Sequence, residues 1–133
     1  MIESVEEFLR LCSSDDPDEY YRANTEPASL EVWREVVDRY PDARFSVAHN
    51  KTVPLEILRV LAIDPDPRVR SMVAMKRKLT ADILKELAMD PDESVRLTVA
   101  RHKRVPKTVL EDLRSDDWDV IREVAQERIR NDY

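Results

Sequence analysis

Large apolar residues recur along the chain at an almost constant interval. Phe8, Trp33, Leu58, Leu84 and Leu110 are separated by 25, 25, 26 and 26 residues. Three positions after each stands Leu11, Val36, Leu61, Leu87 or Leu113, the i,i+3 spacing of one helical face. The next position reads Cys12, Val37, Ala62, Ala88 and Arg114, turning polar only at the end. A second apolar set follows each of the later ladder positions: Ala43/Val47/Ala48, Val69/Val73/Ala74, Val95/Val99/Ala100 and Val120/Val124/Ala125. Its i,i+4 spacing predicts a second, shorter helix. The chain thus reads as five units of helix A, Asp/Pro turn, helix B and connector, at about 2–27, 28–53, 54–79, 80–105 and 106–131. Units of this size bury their apolar faces against their neighbours. The expectation is one all-α domain of ten helices, a right-handed α-α superhelix (α-solenoid).

Polar punctuation agrees with these boundaries. Ser4-Val5-Glu6-Glu7 has the form of a capping box, with a side-chain acceptor followed three residues later by a carboxylate. Pro54 and Pro106 are read at the first helical position, where a missing N–H costs nothing. Asp-Pro at 64–65 and 90–91 should end helix A, because proline disfavours helical geometry in the residue before it. No glycine occurs in 133 residues. Turns that need positive φ, and glycine-rich loops that cradle phosphate, are therefore not expected.

Five Asp–Arg pairs share a separation of six residues: Asp16/Arg22, Asp38/Arg44, Asp64/Arg70, Asp90/Arg96 and Asp116/Arg122. Aspartate at the start of helix B would satisfy free N–H groups. Arginine further along would reach the aspartate of its own or the adjacent unit, making a ladder of charge-assisted bonds. Ile121, standing between Val120 and Arg122, puts the fifth pair out of register on this reading. In the first unit Thr25 and Glu26 stand where Val-Ala is expected.

The Asp-Pro-Asp turn followed by Val69-Arg70-x-x-Val73-Ala74 and Val95-Arg96-x-x-Val99-Ala100 resembles HEAT-like repeats. The compact unit is most similar to the leucine-rich repeat variant branch. The resemblance spans roughly residues 2–130 and implies a solenoid with an Asp–Arg ladder between units. It has no counterpart to the iron–sulfur segment associated with one such protein, because Cys12 is the only cysteine. HEAT-like alkylpurine DNA glycosylases supply an enzymatic rival by resemblance, but their catalytic aspartate maps onto no position here.

Composition narrows the classes further. No segment approaches the roughly 18 apolar residues of a membrane span, and the N-terminus lacks the charged start and apolar run of a secretory signal. With a single cysteine, this predicts a cytoplasmic setting and no membrane partner. His49 and His102 fall in different units, and no metal, cofactor or catalytic constellation is expected. Cys12 and Trp33 read as core residues; Trp118 reads as either a cap residue or an exposed anchor.

Two surfaces remain. The Val/Ala register of helix B leaves Phe45 and His49, Ser71 and Met75, Leu97 and Arg101, and Glu123 and Glu127 unburied. Of these, Phe45, His49, Met75, Leu97 and Arg101 form a mixed apolar and charged strip suited to a protein partner. The other surface is a basic edge of Lys76, Arg77, Lys78, His102, Lys103 and Arg104, with Arg128 and Arg130 next. Its bland explanation is dipole complementation at helix C-termini; its functional one is anion binding. Residues 1–50 hold five Lys/Arg against twelve Asp/Glu, and Tyr20, Tyr21 and Tyr40 lie in that acidic half. The expectation is a non-enzymatic protein-interaction module, of the immunity or adaptor kind. The alternative is nucleic-acid binding through the basic edge.

Overall fold

The computed structural model describes all 133 residues. It contains ten α-helices and no strand; an isolated parallel bridge joins Ile2 to Ala28. The chain divides into two compact units, Met1–Ile63 and Asp64–Tyr133.

The first unit holds α1 (Val5–Cys12), α2 (Pro17–Thr25), α3 (Leu30–Arg39), a 3₁₀ turn at Pro41–Ala43, α4 (Arg44–His49) and α5 (Leu55–Leu61). Helix α1 packs on α2 and α3, both α2 and α3 pack on α4, and α4 packs on α5. The ladder residues Phe8 and Trp33 meet edge to face, with ring centroids 5.1 Å apart at 85°. That geometry sets the positive edge of one ring against the negative face of the other. Both rings are buried, so each adds its full apolar area to the core.

The second unit holds α6 (Pro67–Ala74), α7 (Ala81–Leu87), α8 (Glu93–Arg101), α9 (Lys107–Leu113) and α10 (Asp119–Asp132). Helix α8 lies between α6 and α10, and α7 and α9 pack alongside this row. Leu84, Leu87, Val95, Val99, Leu110 and Leu113 are all buried at its centre.

Without glycine the helices need another way to stop. No residue in the structure has positive φ. Helix α7 ends at Ala88, which keeps right-handed helical φ/ψ and donates to Leu84 O. Met89 and Asp90 then donate to Glu86 O and Leu87 O, three residues back. The last turn tightens to 3₁₀ geometry and so satisfies its carbonyls without a left-handed residue. After it, the aspartates of the turn divide the work. Asp64 and Asp90 accept the N–H of Asp66 and Asp92 at 2.9 Å, closing a local turn. Asp66 and Asp92 in turn cap α6 and α8 by accepting from Arg68 N and Ser94 N.

Several boundaries differ from the sequence expectation. Pro54 and Pro106 occupy the N-cap position, one residue earlier than expected, with extended ψ of 159° and 147°. Ser4 caps α1, accepting Glu7 N at 3.0 Å, but the Glu7 carboxylate accepts from Glu3 N, so the reciprocal bond sits one residue early. In the first unit the turn runs two residues ahead. Ser14 accepts Asp16 N, and Asp16 is the N-cap, so Ala23 is the residue that fills the core. In α10 it is Ile121, not Val120, that is fully buried. Ile121 precedes Arg122 as Val69 precedes Arg70 and Val95 precedes Arg96, so the fifth pair is in register.

Candidate functional site

The Asp–Arg ladder is built in the second unit from a single repeated geometry. Arg70 donates through Nη1 to the Asp64 carbonyl at 2.6 Å and grips the Asp90 carboxylate through Nε at 2.7 Å and Nη2 at 3.1 Å. Arg96 repeats this on the Asp90 carbonyl at 2.7 Å and the Asp116 carboxylate at 2.8 and 3.2 Å. Arg122 donates to the Asp116 carbonyl at 2.7 Å. Arg70 and Arg96 each tie the turn of their own repeat to the turn of the next, and Asp90 and Asp116 each serve two arginines, one through the carboxylate and one through the carbonyl. The side chains of Arg70 and Asp90 are 13% and 5% exposed, so these bonds are shielded from water. The carboxylate grip raises the Arg70 and Arg96 pKa above the ordinary arginine value. Burial pushes the Asp116 carboxyl up, but Arg96, the Trp118 N–H and Arg122 outweigh it and the net shift is downward.

The two N-terminal pairs hold their own turns differently. Asp16 is a cap residue, and Arg22 pairs with Glu26 at 2.6 Å instead. Asp38 lies inside α3, whose last residue is Arg39, and Arg44 donates to the Val37 carbonyl at 2.7 Å. The equal six-residue spacing hides these differences because it counts residues and not turns.

A second polar series was not foreseen. Asn50 and His102 follow the last residues of α4 and α8, and both are buried. Asn50 Nδ2 donates to Ala23 O and Glu26 O, while its Oδ1 accepts from Thr52 N at 2.8 Å. His102 bonds through Nε2 to Lys76 O at 2.6 Å, and its Nδ1 accepts from Arg104 N at 3.0 Å. Each side chain thus donates one repeat back and accepts from its own connector two residues on. Those bonds assign His102 the neutral tautomer with its proton on Nε2. Arg128, one interval further, donates to Ala100 O at 2.9 Å and to His102 O. The 26-residue spacing of 50, 76, 102 and 128 was the available signal, concealed by four different residue types.

The residues expected on the helix B surface separate by unit. Phe45 and His49 are exposed, stacked with centroids 6.2 Å apart at 14°, and His49 Nδ1 lies 2.7 Å from Asn24 Oδ1. In the second unit Met75 is 63% exposed, Arg101 is exposed and Leu97 is half-buried. Met75, Arg77, Thr98, Arg101 and Lys103 line an open cleft of about 260 Å³ at the C-terminal ends of α6 and α8. Of the basic edge, Arg77, Lys78, Lys103 and Arg104 are exposed and Lys76 is half-buried, while the buried His102 ring is committed to the connector bonds above.

The remaining candidates resolve simply. Trp33 is core, and Trp118 occupies the N-cap position of α10, half-buried. Cys12 is half-buried with its thiol pKa raised by burial, which outweighs a hydrogen bond with Ser46. No group of three His, Cys, Asp or Glu side chains is placed to hold a metal ion, and no helix is long and apolar enough to cross a membrane. No family model, curated protein or solved structure matches this chain.

Proposed function

We propose that the chain is a non-enzymatic protein-interaction module: a short HEAT-like array, similar to the leucine-rich repeat variant type, whose five helix pairs coil as a right-handed solenoid in the cytoplasm. The observation that carries this reading is the exposure of large apolar side chains on B helices whose opposite faces supply the core. Phe45 is 42% and Met75 63% exposed, although the same helices bury Val47, Ala48, Val73 and Ala74 completely. An apolar side chain that the core does not use, set among polar neighbours, is what a partner surface requires. Adaptor or immunity-type roles both fit such a surface.

Capture from the native cell lysate, read for protein and for nucleic acid, tests the proposal. The wild type should retain a protein, and Phe45→Ala, Met75→Ala or Leu97→Ala should release it. Retention of nucleic acid alone would overturn the reading.

The nucleic-acid alternative rests on the exposed Arg77, Lys78, Lys103 and Arg104, none of which enters an ion pair. It requires heparin or DNA retention that falls steeply with salt and vanishes when Lys78, Arg101 and Arg104 are all changed to Ala. The net charge of −6 opposes it.

A further inference from the structure

We propose that the cleft at the C-terminal ends of α6 and α8 is a docking site for a short acidic peptide carrying an apolar side chain. The proposal rests on the interaction-module reading and names the partner chemistry. Its wall is cationic on three counts, Arg77, Arg101 and Lys103, with no carboxylate among its lining residues. Yet residues 64–133 as a whole carry 15 Lys/Arg and 15 Asp/Glu. The cleft is therefore a local excess of positive charge on a unit that is neutral overall.

No bond to a helix end holds these three cations in place. Ala100 O near the end of α8 and His102 O just beyond it accept from Arg128. The Lys76 carbonyl beyond α6 is taken by the His102 ring. Arg77, Arg101 and Lys103 bond none of these carbonyls and join no ion pair, unlike Arg68, Arg70, Arg96 and Arg128. Their charges are uncommitted, and guanidinium groups can each hold a carboxylate with two parallel bonds.

Met75 sets the second requirement. It caps α6, lines the cleft and is 63% exposed. A flexible thioether adapts to an apolar side chain of variable shape. Peptide fits better than nucleic acid on two grounds. No Phe, Tyr or Trp lines the cleft to stack on a base, and the His102 ring there is buried and held by Lys76 O and Arg104 N. The net charge of −6 also opposes a long polyanion, whereas a short acidic segment engages the three cations alone.

The probe is a fluorescent peptide with one leucine flanked by glutamates, compared with an all-glutamate peptide and with oligothymidylate. At about 50 mM salt, where screening is weak, the leucine peptide should bind the full chain saturably and shift the Met75 methyl resonance. Arg77→Glu with Arg101→Glu should weaken it by at least roughly tenfold, a loss of one decade in Kd. A charge-matched control, Lys107→Glu with Arg114→Glu, should leave it almost unchanged, with circular dichroism verifying that both variants stay folded. Met75→Ser should weaken the leucine peptide and spare the all-glutamate one. The inference is overturned by an absence of saturation up to about 1 mM, the range of weak encounters. Equal loss in the control, or oligothymidylate binding more tightly than the peptide, overturns it too. If a captured protein partner survives the Arg77→Glu, Arg101→Glu change, the cleft assignment falls while the interaction-module reading stands; failure of capture by the wild type removes both.

Discussion

Arg96 and Asp116, twenty residues apart in sequence, are joined by a two-pronged bond in which Nε and Nη2 donate to the two carboxylate oxygens at 2.8 and 3.2 Å. The same guanidinium holds the Asp90 carbonyl at 2.7 Å, so one side chain spans two consecutive inter-helix turns. The two side chains are 16% and 7% exposed. Arg68 and Asp66 are also paired, at 2.8 Å, but there the arginine is 82% exposed.

That contrast yields the first prediction. Arg96→Ala should destabilise the protein by about 1–3 kcal/mol, because a shielded carboxylate and a carbonyl lose their donors. Arg68→Ala should leave the urea midpoint almost unchanged, as expected of a solvated pair. Urea melts of the two variants check this; equal effects would mean that the ladder is no stronger than a surface pair.

Asn50 and His102 each bond a carbonyl oxygen about one repeat back and accept from the N–H two residues on, and this gives a substitution test. His102→Asn should retain most of the stability, since an amide offers one donor and one acceptor in similar places. His102→Ala should cost about 1–3 kcal/mol, leaving the Lys76 carbonyl and the Arg104 N–H without their partner. Thermal melts that rank the two variants equally would show that the bonds contribute little.

Thr80 stands at the N-cap position of α7, where α5 and α9 have Pro54 and Pro106. Its φ of −82° suits proline, its hydroxyl is buried without a partner, and its N–H donates no hydrogen bond. Thr80→Pro should therefore stabilise the protein by about 0.4–1 kcal/mol, chiefly by restricting the unfolded chain. A shift of the urea midpoint in the opposite direction would sink this argument.

Glu26 sets an acid limit. Arg22 first, and then the Met1 ammonium, hold its pKa down to about 2 from 4.5. A depressed folded pKa contributes stability that is complete above the unfolded value and is lost as pH falls through the folded one. The Glu26 contribution should thus be full above about pH 4.5 and vanish progressively toward pH 2. Asp116, also depressed, adds to the same acid loss from 3.8 downward. Urea midpoints measured across this window should fall more steeply for wild type than for Glu26→Gln.

Much of this protein could be read before any coordinates. The A-helix ladder from Phe8 to Leu113 and the ten-helix count follow from apolar spacing, because burial of one helical face requires that spacing and little else. The absence of glycine likewise foretold a backbone without positive φ. Individual turns were harder to read. The spacing of Asp16 and Arg22 matches that of Asp90 and Arg96, yet Asp16 caps a helix and Arg22 turns to Glu26. Val120 and Ile121 are equally apolar, and only the helix start at Asp119 decides which of them faces inward.

What the sequence determined by itself was therefore the periodic part: helix type, helix number and the identity of the buried face, all set by local spacing and by the hydrophobic effect. Tertiary structure decided the polar part. Whether Arg70 reaches its own aspartate or the next unit's, and whether His102 faces solvent or the Lys76 carbonyl, depends on distances between residues 20 and 26 positions apart. A hydrogen bond needs its partner within about 3 Å at a particular angle, so it is fixed only when whole helices have been placed. Burial tolerates a small rotation of a helix; a guanidinium on a carboxylate does not.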